Sequence, residues 1–80
     1  MRGSTSRYNL KNAQIIYDAV KYAGINFLAY VPETWTNEIL KLLLKDKEIE
    51  SIGAAGEDEA MAICAGASLG GKRPMVLMEG

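Results

Sequence analysis

Gly56-Glu57-Asp58-Glu59-Ala60-Met61-Ala62-Ile63-Cys64-Ala65-Gly66-Ala67-Ser68-Leu69-Gly70-Gly71-Lys72-Arg73-Pro74 opens on a glycine and three acids, continues through small residues, and closes on two glycines, two bases and a proline. Acids suit the first turn of a helix, where unpaired N–H groups and the macrodipole favour negative charge. The body is mostly Ala, Gly, Ser and Cys, small enough for the helix backbone to approach a sheet or another helix closely. Gly70 or Gly71 suits the left-handed residue that closes a helix, and Pro74 prevents continuation. Met75-Val76-Leu77-Met78 then reads as a short buried strand.

The same helix-then-strand unit recurs upstream. Asn9 or Asn12 is placed to cap a helix whose apolar positions Ala13, Ile16, Tyr17, Val20 and Ala23 follow helical spacing. Gly24 ends it, with Lys21 favourably placed in the last turn. Ile25 to Val31 reads as a strand, stopped by Pro32. Thr34 or Thr36 caps a second helix with Trp35, Ile39, Leu42 and Leu43 along one stripe. Lys45-Asp46-Lys47-Glu48 reads as a solvated charged turn, Ile49 to Gly53 as a second strand, and Ala54-Ala55-Gly56 as a flexible loop. Helix-strand repeated three times predicts an α/β fold, a three-layer parallel sheet of flavodoxin-like type with helical crossovers. Three strands are about half of an ordinary doubly wound domain, so the expectation is a half domain with an open sheet edge that invites association.

Composition bounds the function. Eighty residues make at most one small domain. Residues 1–7 look like an expression leader and 8–80 like a truncated domain. Nine basic and ten acidic residues are interspersed and net charge is −1, so no nucleic-acid surface is expected. No apolar run approaches the roughly 18 residues of a membrane span, and no signal peptide is visible. The single Cys64 forms no internal disulfide and fits a reducing, cytoplasmic setting. With no histidine, a His-based triad or a His-ligated metal is excluded, and no metal site is expected. No Gly-rich phosphate loop is present. Cys64 has no adjacent base to activate it and reads as a small buried hydrophobe.

The Glu57–Gly66 helix, the Gly-Lys-Arg-Pro turn and the strand after it resemble the pyrimidine-binding half of thiamine-diphosphate-dependent 2-oxoacid decarboxylases. The wording Glu57-Asp58-Glu59-Ala60 with Ala62-Ile63-Cys64-Ala65-Gly66 is most similar to the alpha subunit of sulfopyruvate decarboxylase and its phosphonopyruvate relative. The order of elements follows that family from about Asn12 to Gly80.

The resemblance implies thiamine diphosphate with Mg2+ as cofactor and conversion of 3-sulfopyruvate to sulfoacetaldehyde, in coenzyme M biosynthesis. It implies that Glu57 hydrogen-bonds N1′ of the aminopyrimidine, favouring the 4′-imino tautomer that takes the proton from the thiazolium C2. A carboxyl in that role gains from a desolvated site. On composition alone a first-turn Glu most often just complements the helix dipole, and Asp58 and Glu59 read as such solvated acids. Val31-Pro32 resembles the strand-end loop that borders the family's active site, which makes Val31, Pro32 and Glu57 the cofactor-binding residues. Glu33 and Thr34 either face that cavity or cap the second helix, and Gly66 is expected to let the helix approach a neighbour.

The family's Gly-Asp-Gly…Asn motif for the Mg2+-bound diphosphate is missing, and Glu79-Gly80 departs from its pattern after the third strand. A diphosphate-binding (beta) subunit or domain is therefore the implied partner, homo-oligomerisation is expected, and the chain alone is expected to be inactive. The alternative reading is a non-catalytic α/β assembly module that associates through its sheet edge.

Overall fold

The computed structural model describes residues 7–31 and 38–78, with side chains from residue 11 onward within those ranges. Pro32, Glu33, Thr34, Trp35 and Thr36, the leader up to residue 6, and Glu79-Gly80 lie outside them. The order of elements is α1 (Arg7–Tyr22), β1 (Phe27–Tyr30), α2 (Glu38–Lys45), β2 (Glu50–Gly53), α3 (Glu57–Leu69) and β3 (Pro74–Leu77). The expected alternation is what forms, as three parallel strands in one sheet of order β2-β1-β3.

Phe27 pairs with Glu50 on one side and Pro74 on the other, and Tyr30 pairs with Gly53 and Leu77. All three strands therefore end in step. The Ala54 N–H donates to the Tyr30 carbonyl at 2.7 Å and the Val31 N–H to the Leu77 carbonyl at 3.2 Å, carrying the ladder one residue further. Successive side chains of a strand point to opposite faces, so β1 serves two cores. Leu28 joins Ala13, Val20, Ile39, Leu40, Leu43 and Ile49 on the α1/α2 face. Ala29 and Val31 join Ala54, Ala60 and Cys64 on the α3 face. The step from β1 to β2 and the step from β2 to β3 run in opposite directions across the sheet. Crossovers of one hand then require α2 and α3 on opposite faces, as observed.

Several local expectations shift. α1 begins at Arg7, so Asn9 and Asn12 lie inside the helix rather than capping it. No Gly or Pro interrupts residues 7–12, so nothing stops the helix starting early. Ala13 and Val20 are buried and Tyr17 packs against that core, but Ile16 is 47% exposed and Ala23 falls in the exposed turn. On α2 it is Leu40, fully buried, that joins Ile39 and Leu43, while Leu42 is only half-buried. A short helix that packs on both α1 and the sheet buries a wider arc than one stripe.

Gly24 takes φ +79°, as a helix-closing glycine should, and the second left-handed glycine is Gly71, not Gly70. A Cβ at Gly24 would also sit 3.3 Å from Arg73 Nε, which donates to the Ala23 carbonyl. Gly24→Ala is expected to cost about 1–2 kcal/mol for the left-handed backbone, read as a lower urea midpoint at unchanged m-value.

The N-terminal edge of the sheet is held by polar contacts, including some from the Lys45–Glu48 turn that was expected to be solvated. Asn26 donates its N–H to the Arg73 carbonyl and accepts the Glu50 N–H at its own carbonyl, both at 3.0 Å. Its side-chain Oδ1 accepts the Arg73 N–H at 2.9 Å, so one residue ties β1 to both neighbours. Asp46 is not a solvated turn acid. Its carboxylate accepts Tyr17 O–H at 2.6 Å and the Glu48 N–H at 2.8 Å, and pairs with Lys21 at 2.8 Å. Lys21 also reaches Glu48 at 2.6 Å.

The bond from Lys21, then that from Tyr17, lowers Asp46 to about 2 from 3.8. The bond to Asp46 raises Tyr17, and those to Asp46 and Glu48 raise Lys21. A lowered acid contributes stability that is full above its unfolded value and is lost as pH falls through its folded one. A raised tyrosine or lysine contributes stability that is full below its unfolded value and is lost as pH rises beyond it. The clamp should therefore weaken between about pH 4 and 2, and again above about pH 10. An Asp46→Asn chain, compared by melting temperature across pH, should be less stable at neutral pH and lack the acid-side loss.

Candidate functional site

In an open parallel sheet the ligand end lies beyond the carboxyl ends of the strands. Here that end is Tyr30-Val31, Gly53-Ala54 and Leu77-Met78, and α3 starts directly above it. Gly56 is the N-cap, with extended backbone and no side chain to cap with, and its carbonyl accepts the first helical bond from Ala60 at 3.0 Å. The turn is fixed from further along. Glu59 Oε1 accepts the Ala55 N–H at 2.6 Å, satisfying a donor in the loop just before the helix. The expectation of a flexible loop with solvated acids missed this, although a Glu three residues after the cap position is the signal that marks it.

The three first-turn acids therefore have three different placements. Glu59 is committed to the loop. Asp58 belongs to the face that carries the exposed Met61, Ala62 and Ala65. Glu57 lies one turn from Ala60 and two from Cys64, on the stripe these two bury against the sheet. It continues that stripe past the sheet edge, where it is exposed, and no described residue hydrogen-bonds or pairs with it. Side chains of a helix lean toward its N-terminus, which aims this carboxylate over the strand ends.

Val31 is 6% exposed and packs with Ala54, Ala60 and Cys64. Its side chain is the floor that seats the start of α3, placed under the turn that carries Glu57. Pro32 lies outside the described residues. Around this edge the described residues are small, and a Cβ added at Gly56 would meet none of them within 4 Å, so among the described residues the approach to Glu57 is open. On the other face of the sheet the Tyr30 ring covers Gly53, whose added Cβ would meet the ring and hydroxyl at 3.3 Å. Cys64 is buried, with its thiol donating to the Met75 carbonyl at 3.3 Å, in keeping with a packing residue. Gly66 departs from expectation. It is exposed, and its added Cβ would meet nothing within 4 Å, so it packs on no described residue.

Among the described residues no three acids or cysteines converge on a metal position. No described helix is long and apolar enough to cross a membrane. The class this defines, among the described residues, is a doubly wound α/β chain with an unpaired carboxylate, that of Glu57, on the sheet-facing stripe at its ligand end.

The chain is similar to the alpha subunits of sulfopyruvate decarboxylase. It is 41% identical over 70 residues to that subunit of Methanocaldococcus jannaschii, a match covering 88% of this chain and 41% of the relative. It is 33% identical over 67 residues to the Methanococcus maripaludis subunit, covering 84% and 40%. For Methanothermobacter thermautotrophicus the identity is 29% over 68 residues, covering 85% and 41%. The chain thus spans about two-fifths of the length of these relatives. No protein-family model and no solved structure matches it.

Proposed function

We propose that this chain provides the pyrimidine-binding side of a thiamine-diphosphate-dependent decarboxylase of 3-sulfopyruvate, with Glu57 as the residue that engages the cofactor. The observation that carries this reading is the placement of Glu57. Of the three first-turn acids it alone continues the sheet-facing stripe, with its carboxylate unengaged by described residues at the strand ends. The relatives' names supply the substrate and reaction.

The residues fit the aminopyrimidine half of the cofactor. Glu57 offers a carboxyl to hold a proton at ring atom N1′, and Ala54, Ala55 and Gly56 leave room for a flat ring beside it. Val31 seats the helix from below, and the family resemblance alone assigns Pro32, outside the described residues, to the same site. When bound, thiamine diphosphate supplies the electron sink for loss of carbon dioxide from a 2-oxo acid. A carboxyl that must keep or share a proton with a weak base is helped by removal from water. Glu57 is exposed in this chain, so the cover comes from a partner. We assign that cover, with Mg2+ and the diphosphate, to a diphosphate-binding beta subunit or domain, and take the chain alone to be inactive in the cytoplasm where such an enzyme works.

Amide chemical-shift mapping tests this. Titrating the labelled chain with thiamine diphosphate and Mg2+ should move the amides of residues 54–57 and Val31 first. Shifts confined to the N-terminal edge, around Asn26 and Asp46, would sink the reading.

A further inference from the structure

β1 is followed by α2, which packs on one face of the sheet, and β2 by α3, which packs on the other. The two connections therefore part between the carboxyl ends of β1 and β2, and in an open parallel sheet that parting is where a ligand crevice lies. Tyr30 and Gly53 stand directly opposite each other there, as the last residue pair of the two strands. Of the strand-end residues Tyr30, Val31, Gly53, Ala54, Leu77 and Met78, Tyr30 has the one side chain with an O–H or N–H group. Its ring is half-buried against the α1/α2 core and lies across Gly53, with the hydroxyl 3.3 Å from where a Cβ would stand, so any side chain there would crowd it. The Tyr17 hydroxyl is engaged by Asp46, whereas that of Tyr30 makes no hydrogen bond to a described residue. Among the described residues no buried side-chain oxygen or nitrogen lacks a partner, so the Tyr30 hydroxyl is reached from outside and its proton is available to donate.

We infer that Tyr30 is a second binding residue at this end, its hydroxyl donating to an anionic oxygen of the 2-oxo acid, a carboxylate or a sulfonate. This deepens the reading of the Glu57 site and rests on it for the substrate. An acid with two anionic groups is repelled by the Glu57 carboxylate, which lies on the α3 side of the same end. Tyr30 offers a neutral donor on the opposite face, where the charge can settle away from Glu57. An O–H that donates to a charged oxygen makes a stronger bond than one between neutral groups. The ring adds position. Seated on Gly53 and packed against the α1/α2 core, it has little freedom, so the donor is held at one place on the rim of the crevice before any ligand arrives. The two flanks then divide the recognition, with Glu57 meeting the cofactor ring and Tyr30 the charge of the substrate.

The whole chain with 13C-labelled tyrosine rings, titrated with sulfoacetate in the absence of cofactor, gives the test. Sulfoacetate carries both a carboxylate and a sulfonate and has no oxo group to react. The Tyr30 ring signal should move saturably at millimolar concentration. Tyr17, held by Asp46, and Tyr22, 95% exposed, should move only as they do in sodium chloride. Methanesulfonate and acetate, titrated separately, tell which anionic group is received. Tyr30→Phe keeps the ring on Gly53 and should weaken binding about tenfold, followed by the amide shifts of Gly53 and Ala54. Gly53→Ala keeps the hydroxyl but crowds the ring, and should weaken binding as well. A Tyr30 signal that stays still, or moves no more than that of Tyr22, overturns the inference. Unchanged affinity in a Tyr30→Phe chain with native circular dichroism does so too. Because no thiamine diphosphate is present, either result leaves the reading of Glu57 standing. A saturable Tyr30 response beside a failed cofactor titration would remove that reading alone.

Discussion

If the chain is the pyrimidine-binding side proposed above, Glu57→Gln in the assembled enzyme is expected to lower kcat by roughly 10²- to 10⁴-fold, the range of a lost proton-transfer group. The amide keeps the size and reach of the side chain but has no acid proton to hold at N1′. A Glu at a helix start has a second, ordinary role in complementing the dipole, worth at most about 1 kcal/mol at an exposed position. Glu57→Asp separates the two. It keeps the charge and the dipole interaction but retracts the carboxyl by one methylene, so activity should fall while melting temperature stays. Retained activity in Glu57→Asp and in Glu57→Gln would leave only the dipole role.

Leu28→Ala is expected to be the most damaging change to the fold. Leu28 is fully buried in β1, the one described strand with a neighbour on both sides, and packs against residues of α1, α2 and the approach to β2. Deleting a buried leucine side chain costs about 2–5 kcal/mol. A core in a chain of this size supplies roughly 3–5 kcal/mol, so the variant should be largely unfolded at 25 °C. Leu44→Ala, at a position 44% exposed, should change the urea midpoint little. Equal midpoints for both variants would contradict the central position of β1.

These effects rest on features of unequal legibility. Element order could be read directly, because Gly24, Gly71 and Pro74 act locally and hydrophobic spacing reports a period without reference to the rest of the chain. Strand order could not, since nothing in Phe27 to Tyr30 says which strands flank it. The Tyr17–Lys21–Asp46–Glu48 clamp joins residues up to 29 apart, and in sequence its members are indistinguishable from solvated charges. Leu40 and Leu42 differ in burial only because α1 packs against one side of α2.

At the candidate site, the carboxylate was legible through the resemblance and its stripe through the positions of Ala60 and Cys64. The role of Glu59 became visible only when its carboxylate was found on the Ala55 N–H. The expectation for Gly66 finds no neighbour among the described residues, because a small residue in a helix says that close approach is possible, without saying from which side or by which chain.

The claim that Glu57 engages the cofactor is tested most directly by calorimetric titration of this chain with thiamine diphosphate and Mg2+, beside Glu57→Gln. The account predicts measurable heat for the unaltered chain and its loss in the variant, with both chains equally folded. Equal heats in the two would contradict it and leave the chain an α/β assembly module.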